Sequence, residues 1–438
     1  MDTANRNANL PPPRRIQGVL FGLLSQSVIA AGSLVSLTLL ARALGPEGRG
    51  LVAAVLAPML LISAVIAGGL TDALTHFVAK YPLDSREALA RSALLMTLAT
   101  LPTVGIVWLL GPALTSGHEE LRPLVTAIAV SAIPAGFVLL LRARSAALRQ
   151  WRLLSLEASS STILKVVALT LLWQLDLVSV AVGAFILAAE SWIGVLLYLP
   201  DLFRRSSQPR PRTHRIGYRD LLVFSLVGWP GIVAAGVLGQ AAQLVITPLG
   251  SAAVLGDFVV ALTVAGLVSR VALSMRSVVF AVESATTDFG RVAQGARLSF
   301  MLTLIVAIMA AIMAPSVLPI LIGDGFQGSV IATQIMLVFV ALNGAGSVAT
   351  AGLVAHGRPH LRSIAVIIGA VVYLALLFLL VPAMGTLGAA IATLAQALPG
   401  IIAIFFVNRY FGVPIKNFYV VHKSDIVSLI RRIRPTQR

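Results

Sequence analysis

The stretch Asp201–Asp220, DLFRRSSQPRPRTHRIGYRD, separates two long apolar regions of nearly equal length. It carries six arginines, and placing each arginine in hydrocarbon would cost roughly 2.5–3.5 kcal/mol. The stretch therefore lies in water, while the apolar regions on both sides cross a membrane. This pattern predicts two membrane-embedded halves that are joined by a basic linker.

The composition of the whole chain also indicates an integral membrane protein. Of the 438 residues, 58% are hydrophobic and only 11% are charged, whereas a soluble domain has about 25% charged residues. The net charge of +16 is compatible with nucleic-acid binding, but proteins of that class interleave aromatic residues with basic ones. Aromatic residues make up only 6% of this chain. We therefore expect no nucleic-acid partner.

The lengths of the apolar runs predict the number of membrane spans. A helix needs about 20 apolar residues to cross the hydrocarbon core. By this measure the spans lie near residues 16–41, 51–79, 93–110, 124–141, 157–175, 178–200, 221–247, 252–276, 298–321, 330–354, 363–382 and 386–407. The predicted fold class is an all-α integral membrane protein with about twelve transmembrane helices.

The distribution of basic residues predicts the orientation. With the N-terminus inside, 29 of the 33 lysines and arginines fall in cytoplasmic segments. The other four are Arg42, Arg49 and Arg122 on the outer side and Lys165 within a span. Positively charged loops resist translocation, so we expect both termini in the cytoplasm.

The two halves also resemble each other. A shift of about 206 residues places Gly50 on Gly256 and Arg91 on Arg297. Six spans in each half would make the repeats parallel, related by an axis along the membrane normal, with a central cavity between them. The predicted domains are an N-terminal half (1–200), a basic cytoplasmic linker (201–220), a C-terminal half (221–407) and a basic cytoplasmic tail (408–438). Ser424–Arg434 in this tail has the residue spacing of an amphipathic helix that lies on the membrane surface. The alternative is a disordered basic tail.

Motifs for catalysis are missing from the sequence. The chain has no cysteine, and it contains none of the patterns GxxxxGK[ST], HExxH or GxSxG. We therefore expect no enzymatic activity, no cofactor and no metal site.

Charged residues within spans mark substrate or ion paths by default. Asp72, His76 and Lys80 recur every four residues and share one helix face, either as an ion-pair ladder or as the lining of a cavity. Lys165 and Glu190 are expected at similar depths on neighbouring spans, where they could pair, with a structural role or in a hydrated ion site.

Arginines near the inner mouth suit an anionic ligand. Two of them, Arg270 and Arg276, suit a doubly anionic diphosphate, which a guanidinium group can bind with two parallel hydrogen bonds. The alternative is that they are ordinary positive-inside flanks. The candidate substrate-binding residues are Arg42, Lys80, Lys165, Arg270 and Arg276. The candidate ion-coupling residues are Asp72, Glu190 and Asp257.

The segment LLARALGPEGRGLVAAV, Leu39–Val55, resembles the A-R-x-L-G-P-x-x-x-G signature of bacterial polysaccharide flippases. These proteins belong to the multidrug/oligosaccharidyl-lipid/polysaccharide exporter superfamily. AHGRPHLRSI, Ala355–Ile364, is similar to the same family's connection between the tenth and eleventh spans. The resemblance implies a bacterial plasma-membrane protein that flips an undecaprenyl-diphosphate-linked oligosaccharide to the outer leaflet through a cationic lumen. It also implies membrane lipids, a polysaccharide polymerase and glycosyltransferases as partners.

Two other functions remain open at this point. One is a cation-coupled multidrug antiporter of the same superfamily, which acidic residues in the spans would favour. The other is a membrane polysaccharide polymerase or glycosyltransferase. That class is expected to have a large outward loop, and the longest outward loop predicted here is only 111–123.

Overall fold

The computed structural model describes residues 12–115, 119–203, 216–280, 289–355 and 358–420. Within these ranges all regular structure is helical. The first half contains α1 (Pro12–Lys80), α2 (Ser85–Thr115), α3 (Arg122–Val130), α4 (Ala132–Ala147), α5 (Trp151–Gln174) and α6 (Val180–Phe203). The second half contains α7 (Tyr218–Leu249), α8 (Ala252–Phe280), α9 (Phe289–Ile322), α10 (Gln327–Ala355), α11 (Pro359–Met384), α12 (Thr386–Thr393) and α13 (Leu398–Phe411).

Helix α1 consists of two antiparallel arms that meet at Gly45. Gly45 has a left-handed φ of 64°, which glycine adopts without steric cost, and the following Pro46 disfavours helical geometry at this position. The side chains of Leu40 and Val52 both reach within 3.4 Å of the place where a Cβ of Gly183 would lie. A straight helix would hold these two residues about 18 Å apart, so the chain reverses between them. We call residues 12–44 arm 1 and residues 46–80 arm 2.

This reversal accounts for the number of spans. Eleven helices in the described ranges are long and apolar enough to cross a membrane, and the first of them has 57 residues. A straight helix of that length would extend about 85 Å, almost three times the thickness of the hydrocarbon core. Its two arms are separate spans, so the expected twelve spans are confirmed for the described part of the chain.

The helix termini define two ends of the molecule. We call the end with the turns at Gly45 and Gly250 the outer end, and the opposite end, which holds Ile216 and Phe418, the inner end. These names follow the predicted orientation. The N-terminal residues 1–11, linker residues 204–215 and tail residues 421–438, including the predicted surface helix, lie outside the described residues.

Each half has its own apolar core. In the first half, arm 2 packs on α2 and α4 through Leu74, Met96 and Leu141. In the second half, Phe258 of α8 and Met336 of α10 pack in one buried cluster. Between the halves, arm 1 lies along α8 and arm 2 lies along α7, where small residues let the helices approach closely.

Two arginines hold the chain at the inner end of each half. Arg91 of α2 donates a hydrogen bond to the carbonyl of Ile216, just before α7. Arg297 of α9 donates a 2.6 Å hydrogen bond to the carbonyl of Asn417, just after α13. The arginines are 206 residues apart, and each binds the backbone that follows the last span of its half. A two-fold repeat would produce such a pair of contacts; the domain limits themselves remain a prediction.

Candidate functional site

Helices α4, α5 and α6 form two ion pairs in the first half, and a third pair, Arg144–Asp201, lies nearer their inner ends. Arg142 comes from α4, Glu157 and Lys165 from α5, and Glu190 from α6. We call these residues the α4–α6 charge cluster. The most apolar stretch of α5 has a mean hydropathy of 1.3, the lowest of the eleven membrane-length helices. Helix α5 is therefore the span best suited to line a polar interior.

Arg142 and Glu157 form a two-pronged ion pair. The Nε and Nη2 atoms of Arg142 each lie 2.8 Å from a carboxylate oxygen of Glu157. The Glu157 side chain is only 1% exposed, whereas that of Arg142 is 41% exposed. Gly194 of α6 makes room for the carboxylate, because a Cβ there would lie 3.1 Å from its Oε1 atom. The pair fixes a partly accessible guanidinium group at a defined place in the membrane.

Lys165 and Glu190 form the second ion pair of the cluster. The Nζ atom of Lys165 lies 2.8 Å from Oε2 of Glu190, so the pairing expected from the sequence is confirmed. Lys165 is 10% exposed and Glu190 is 32% exposed at the side chain. The Glu190 carboxylate is therefore partly accessible, and it neutralises the nearly buried ammonium group of Lys165. The roles predicted for these residues in substrate binding and ion coupling remain predictions.

Arg142 and Glu157 were not among the functional residues predicted from the sequence. Arg142 was assigned to a cytoplasmic flank because the apolar run ends at 141, but α4 continues to Ala147. A usable signal was present: Glu157, Ser161 and Lys165 recur every four residues and place three polar groups on one face of α5. Ser161 donates to the Glu157 carbonyl at 2.8 Å.

A cavity of about 650 Å³ lies between arm 2 and α7 near the inner end. We call it the inner cavity. It is lined by Gly69, Asp72 and Phe77 of arm 2 and by α7 residues within 219–232. Asp72 is exposed, and the positive charge of Arg362 on α11 acts on its carboxylate. The cavity thus combines apolar walls with ionisable groups.

Asp72, His76 and Lys80 share one exposed face of arm 2, as predicted. Within the part of the chain that the structure describes, these three residues form no salt bridge with one another. His76 instead stacks on Phe224 of α7, with ring centroids 4.8 Å apart. Lys80 lies at the end of the arm, with its Nζ atom 5.2 Å from the centre of the Tyr81 ring. The three residues therefore form no ion-pair ladder, and of them Asp72 lines the inner cavity.

The outer end is closed by contacts between the halves, which we call the outer closure. Arg42 of arm 1 donates hydrogen bonds of 2.9 Å to the Leu321 carbonyl and 2.6 Å to the Ile320 carbonyl. These carbonyls belong to the last turn of α9, where the helix leaves acceptors unpaired and its dipole favours a cation. Next to Arg42, arm 2 and α8 meet at Gly50 and Gly256. In this conformation Arg42 joins the two halves and lies far from the inner cavity.

The remaining candidates lie on α8. Oδ2 of Asp257 lies against Gly328 in the first turn of α10 and accepts its backbone N–H, an interaction that the α10 dipole strengthens. Its Oδ1 is buried without a hydrogen-bond partner among the described residues. Arg270 is exposed at the end of the apolar segment Ala252–Arg270. Arg276 follows on the same helix, and its side chain lies outside the described ones.

Comparisons with known proteins agree with the fold. The sequence model of a family described as polysaccharide biosynthesis protein matches residues 16–285. No curated protein matches the sequence.

Solved structures resemble nearly the whole chain. A lipid II flippase, MurJ, in an inward closed conformation is 14% identical, with a TM-score of 0.68 over 97% of this chain and 94% of that one. The multidrug transporter DinF-BH is 16% identical, with a TM-score of 0.60 over 94% and 97%. A MOP superfamily transporter from Pyrococcus furiosus is 15% identical, with a TM-score of 0.53 over 90% and 96%. At these identities the likeness shows a shared fold.

Proposed function

Because the chain belongs to the polysaccharide biosynthesis protein family, we propose that it flips undecaprenyl-diphosphate-linked oligosaccharides across the bacterial plasma membrane. It would move them from the inner to the outer leaflet by alternating access, for the assembly of O-antigen, capsule or exopolysaccharide. The similarity to a lipid II flippase over 97% of the chain supports a lipid-linked substrate. A polysaccharide polymerase and glycosyltransferases are the expected partners.

The observation that carries this proposal is the contrast between the two ends. At the outer end, Arg42 ties arm 1 to α9 and closes the path between the halves. Near the inner end, the halves leave a cavity beside Asp72, between arm 2 and α7. A transporter in this state would receive its substrate from the inner leaflet, where lipid-linked oligosaccharides are made available to a flippase.

Basic residues on both halves would hold the diphosphate. Arg270 lies exposed near the inner end of α8, and a guanidinium group binds phosphate oxygens in pairs. Lys80 and Arg276 are further basic residues towards the inner end. Lys165 lies deeper, where it pairs with Glu190. A diphosphate that replaced this carboxylate as partner would offset the cost of a cation in the membrane.

A cation-coupled multidrug antiporter is the second candidate. Two exposed or partly exposed carboxylates, Asp72 and Glu190, favour it, as does the fold shared with DinF-BH. Cationic drugs would be attracted to these acids. The flippase remains the first choice because the family matched over residues 16–285 is one of polysaccharide biosynthesis.

Binding by the purified protein separates these two functions. Native mass spectrometry would be carried out with undecaprenyl diphosphate carrying one N-acetylhexosamine and, separately, with the cationic dye rhodamine 6G. The proposal predicts adducts with the lipid and none with the dye at equal concentration. Adducts with the dye alone would favour the antiporter.

A further inference from the structure

We propose that the inner cavity is a sugar-binding site that holds a neutral sugar residue of the lipid-linked oligosaccharide, with Asp72 as its main hydrogen-bond acceptor. This inference rests on the proposed function and names the part of the substrate that this cavity recognises. The diphosphate would be held elsewhere, by the basic residues described above.

The charge of the cavity argues against the diphosphate as its occupant. Among the residues that the structure describes, the ionisable ones that line it are Asp72, Arg219 and Asp220. The positive charge of Arg362 on α11 also acts on Asp72, so the described charges around the cavity are balanced. A diphosphate would therefore find no net positive charge here, whereas the hydroxyl groups of a neutral sugar can donate hydrogen bonds to both carboxylates.

The same carboxylates argue against the isoprenoid chain. A hydrocarbon tail in the cavity would remove water from Asp72 and Asp220 without replacing their hydrogen bonds, and burying an unpaired charge is costly. Asp72 makes no hydrogen bond or salt bridge to another described side chain, so its acceptor capacity is available to a ligand. Asp220 uses Oδ2 to accept the Gly217 N–H at 2.8 Å, which fixes the position of its carboxylate at the start of α7.

The walls of the cavity suit the apolar face of a sugar ring. Phe77 and Phe224 meet edge to face, with centroids 5.7 Å apart, across arm 2 and α7. His76 stacks on Phe224 and holds that ring in place. Pockets that bind small molecules typically combine such aromatic walls with a few placed polar groups. The cavity has both kinds of surface.

The size and depth of the inner cavity also suit a sugar residue. Its volume of about 650 Å³ falls within the range of roughly 300–1,000 Å³ found for small-molecule sites. Asp72 lies eight residues before Lys80 at the inner end of arm 2, a depth of about 12 Å at the helical rise. Gly69 lines the cavity where arm 2 and α7 lie close together, since a Cβ there would lie 3.2 Å from Ser225. A sugar entering from the inner side would reach Asp72 before the outer closure.

The test measures binding to the full-length protein in nanodiscs. The two probes are undecaprenyl diphosphate and undecaprenyl diphosphate carrying one N-acetylhexosamine. We expect Asp72→Asn and Asp72→Ala to lower the affinity for the sugar-bearing lipid by about tenfold, because a charged acceptor is lost, and to leave the affinity for the sugar-free lipid unchanged. Asp176→Asn is the matched control. Asp176 lies in the α5–α6 turn at the outer end with a φ of 54°, which asparagine tolerates.

Several results would overturn the sugar-site inference or the proposed function. If neither Asp72 variant changes the affinity for the sugar-bearing lipid, or if both lipids lose affinity equally, the cavity is not a sugar site. If the wild type binds neither lipid, the proposed function itself fails. If Asp72→Asn abolishes the binding of rhodamine 6G instead, the cavity takes a cationic drug and the inference is overturned.

Discussion

Gly50 and Gly256 occupy matching positions on the two sides of the interface between arm 2 and α8. A Cβ at Gly50 would lie 1.7 Å from the carbonyl oxygen of Ala252, and a Cβ at Gly256 would lie 1.9 Å from the carbonyl oxygen of Pro46. Both pairs of equivalent residues differ by 206 positions, so the contact is reciprocal. Only glycine lets two helix backbones approach this closely, and the closeness seals the outer end.

We predict that Gly50→Ala opens the outer closure. The new methyl group cannot fit against a backbone carbonyl, so arm 2 and α8 must separate. The chain has no cysteine, and Ala314, 4% exposed, packs within the apolar part of the outer closure. A cysteine introduced as Ala314→Cys should react faster with a membrane-impermeant maleimide in the Gly50→Ala background.

Gly105→Ala serves as the control for this experiment. A Cβ at Gly105 on α2 would have no atom within 4 Å, so the labelling rate should stay at the wild-type value. Gly256→Ala should reproduce the effect of Gly50→Ala if the interface is reciprocal. Unchanged labelling in both variants, at normal amounts of inserted protein, would show that these glycines do not maintain the closure.

Arg42→Ala should also open the outer end. The substitution removes two charged hydrogen bonds to the last turn of α9, each worth about 1.5–3 kcal/mol. We expect labelling of Ala314→Cys to accelerate by at least about tenfold, the factor that corresponds to 1.4 kcal/mol. Arg42→Lys should have a smaller effect, since an ammonium group lacks the planar fork.

Arg122→Ala is the matched control for Arg42. Arg122 also lies at the outer end, but it packs on the Trp108 ring within the first half, with its Cζ atom 4.6 Å from the ring centre. Its removal should leave the labelling rate unchanged. Equal acceleration by the two substitutions would mean that loss of an outer-end charge, and not of the tie to α9, causes the opening.

The Lys165–Glu190 pair is predicted to serve transport more than stability. Glu190→Gln leaves a nearly buried lysine without its counter-ion and should destabilise the protein by about 1–3 kcal/mol. The double variant Lys165→Met/Glu190→Leu should restore the melting temperature, because apolar groups can replace a buried ion pair. It should nevertheless lose substrate transfer. A double variant that is stable and transfers substrate at the wild-type rate would make the pair structural.

The spans and the Lys165–Glu190 pair could be predicted from the sequence for a common reason. In hydrocarbon, backbone groups must bond within a helix, so apolar length alone fixes the spans. Two opposite charges at similar depths on neighbouring spans then have few other partners.

The other contacts could not be predicted from residue types or apolar periodicity alone. Arg142 stands beyond the apolar run, and only the fold shows that α4 extends past it. Arg42 binds backbone carbonyls 278 and 279 residues away, and every residue has a carbonyl, so no residue type could reveal this contact. The inner cavity likewise depends on how arm 2 crosses α7, which apolar periodicity does not determine.

Arg270→Ala should lose most substrate transfer while the protein still inserts normally. Removing one of the 29 basic residues assigned to the inside cannot invert the topology, but it would remove a paired donor for the diphosphate. Arg270→Lys should keep part of the activity because the charge remains. The comparison uses membranes with equal amounts of each variant. Full transfer by Arg270→Ala would mean that this arginine only helps to set the membrane orientation. Lys165 would then be the leading candidate for a diphosphate ligand.

Transbilayer movement in proteoliposomes that contain the purified protein tests whether the protein flips lipid-linked oligosaccharides. Undecaprenyl diphosphate carrying a labelled oligosaccharide would be placed in one leaflet, and its arrival in the other would be followed with an enzyme or lectin that cannot cross the bilayer. We expect movement well above that of protein-free liposomes, and its loss in Arg270→Ala. Movement at the protein-free rate, in vesicles whose protein does transport rhodamine 6G, would contradict this expectation.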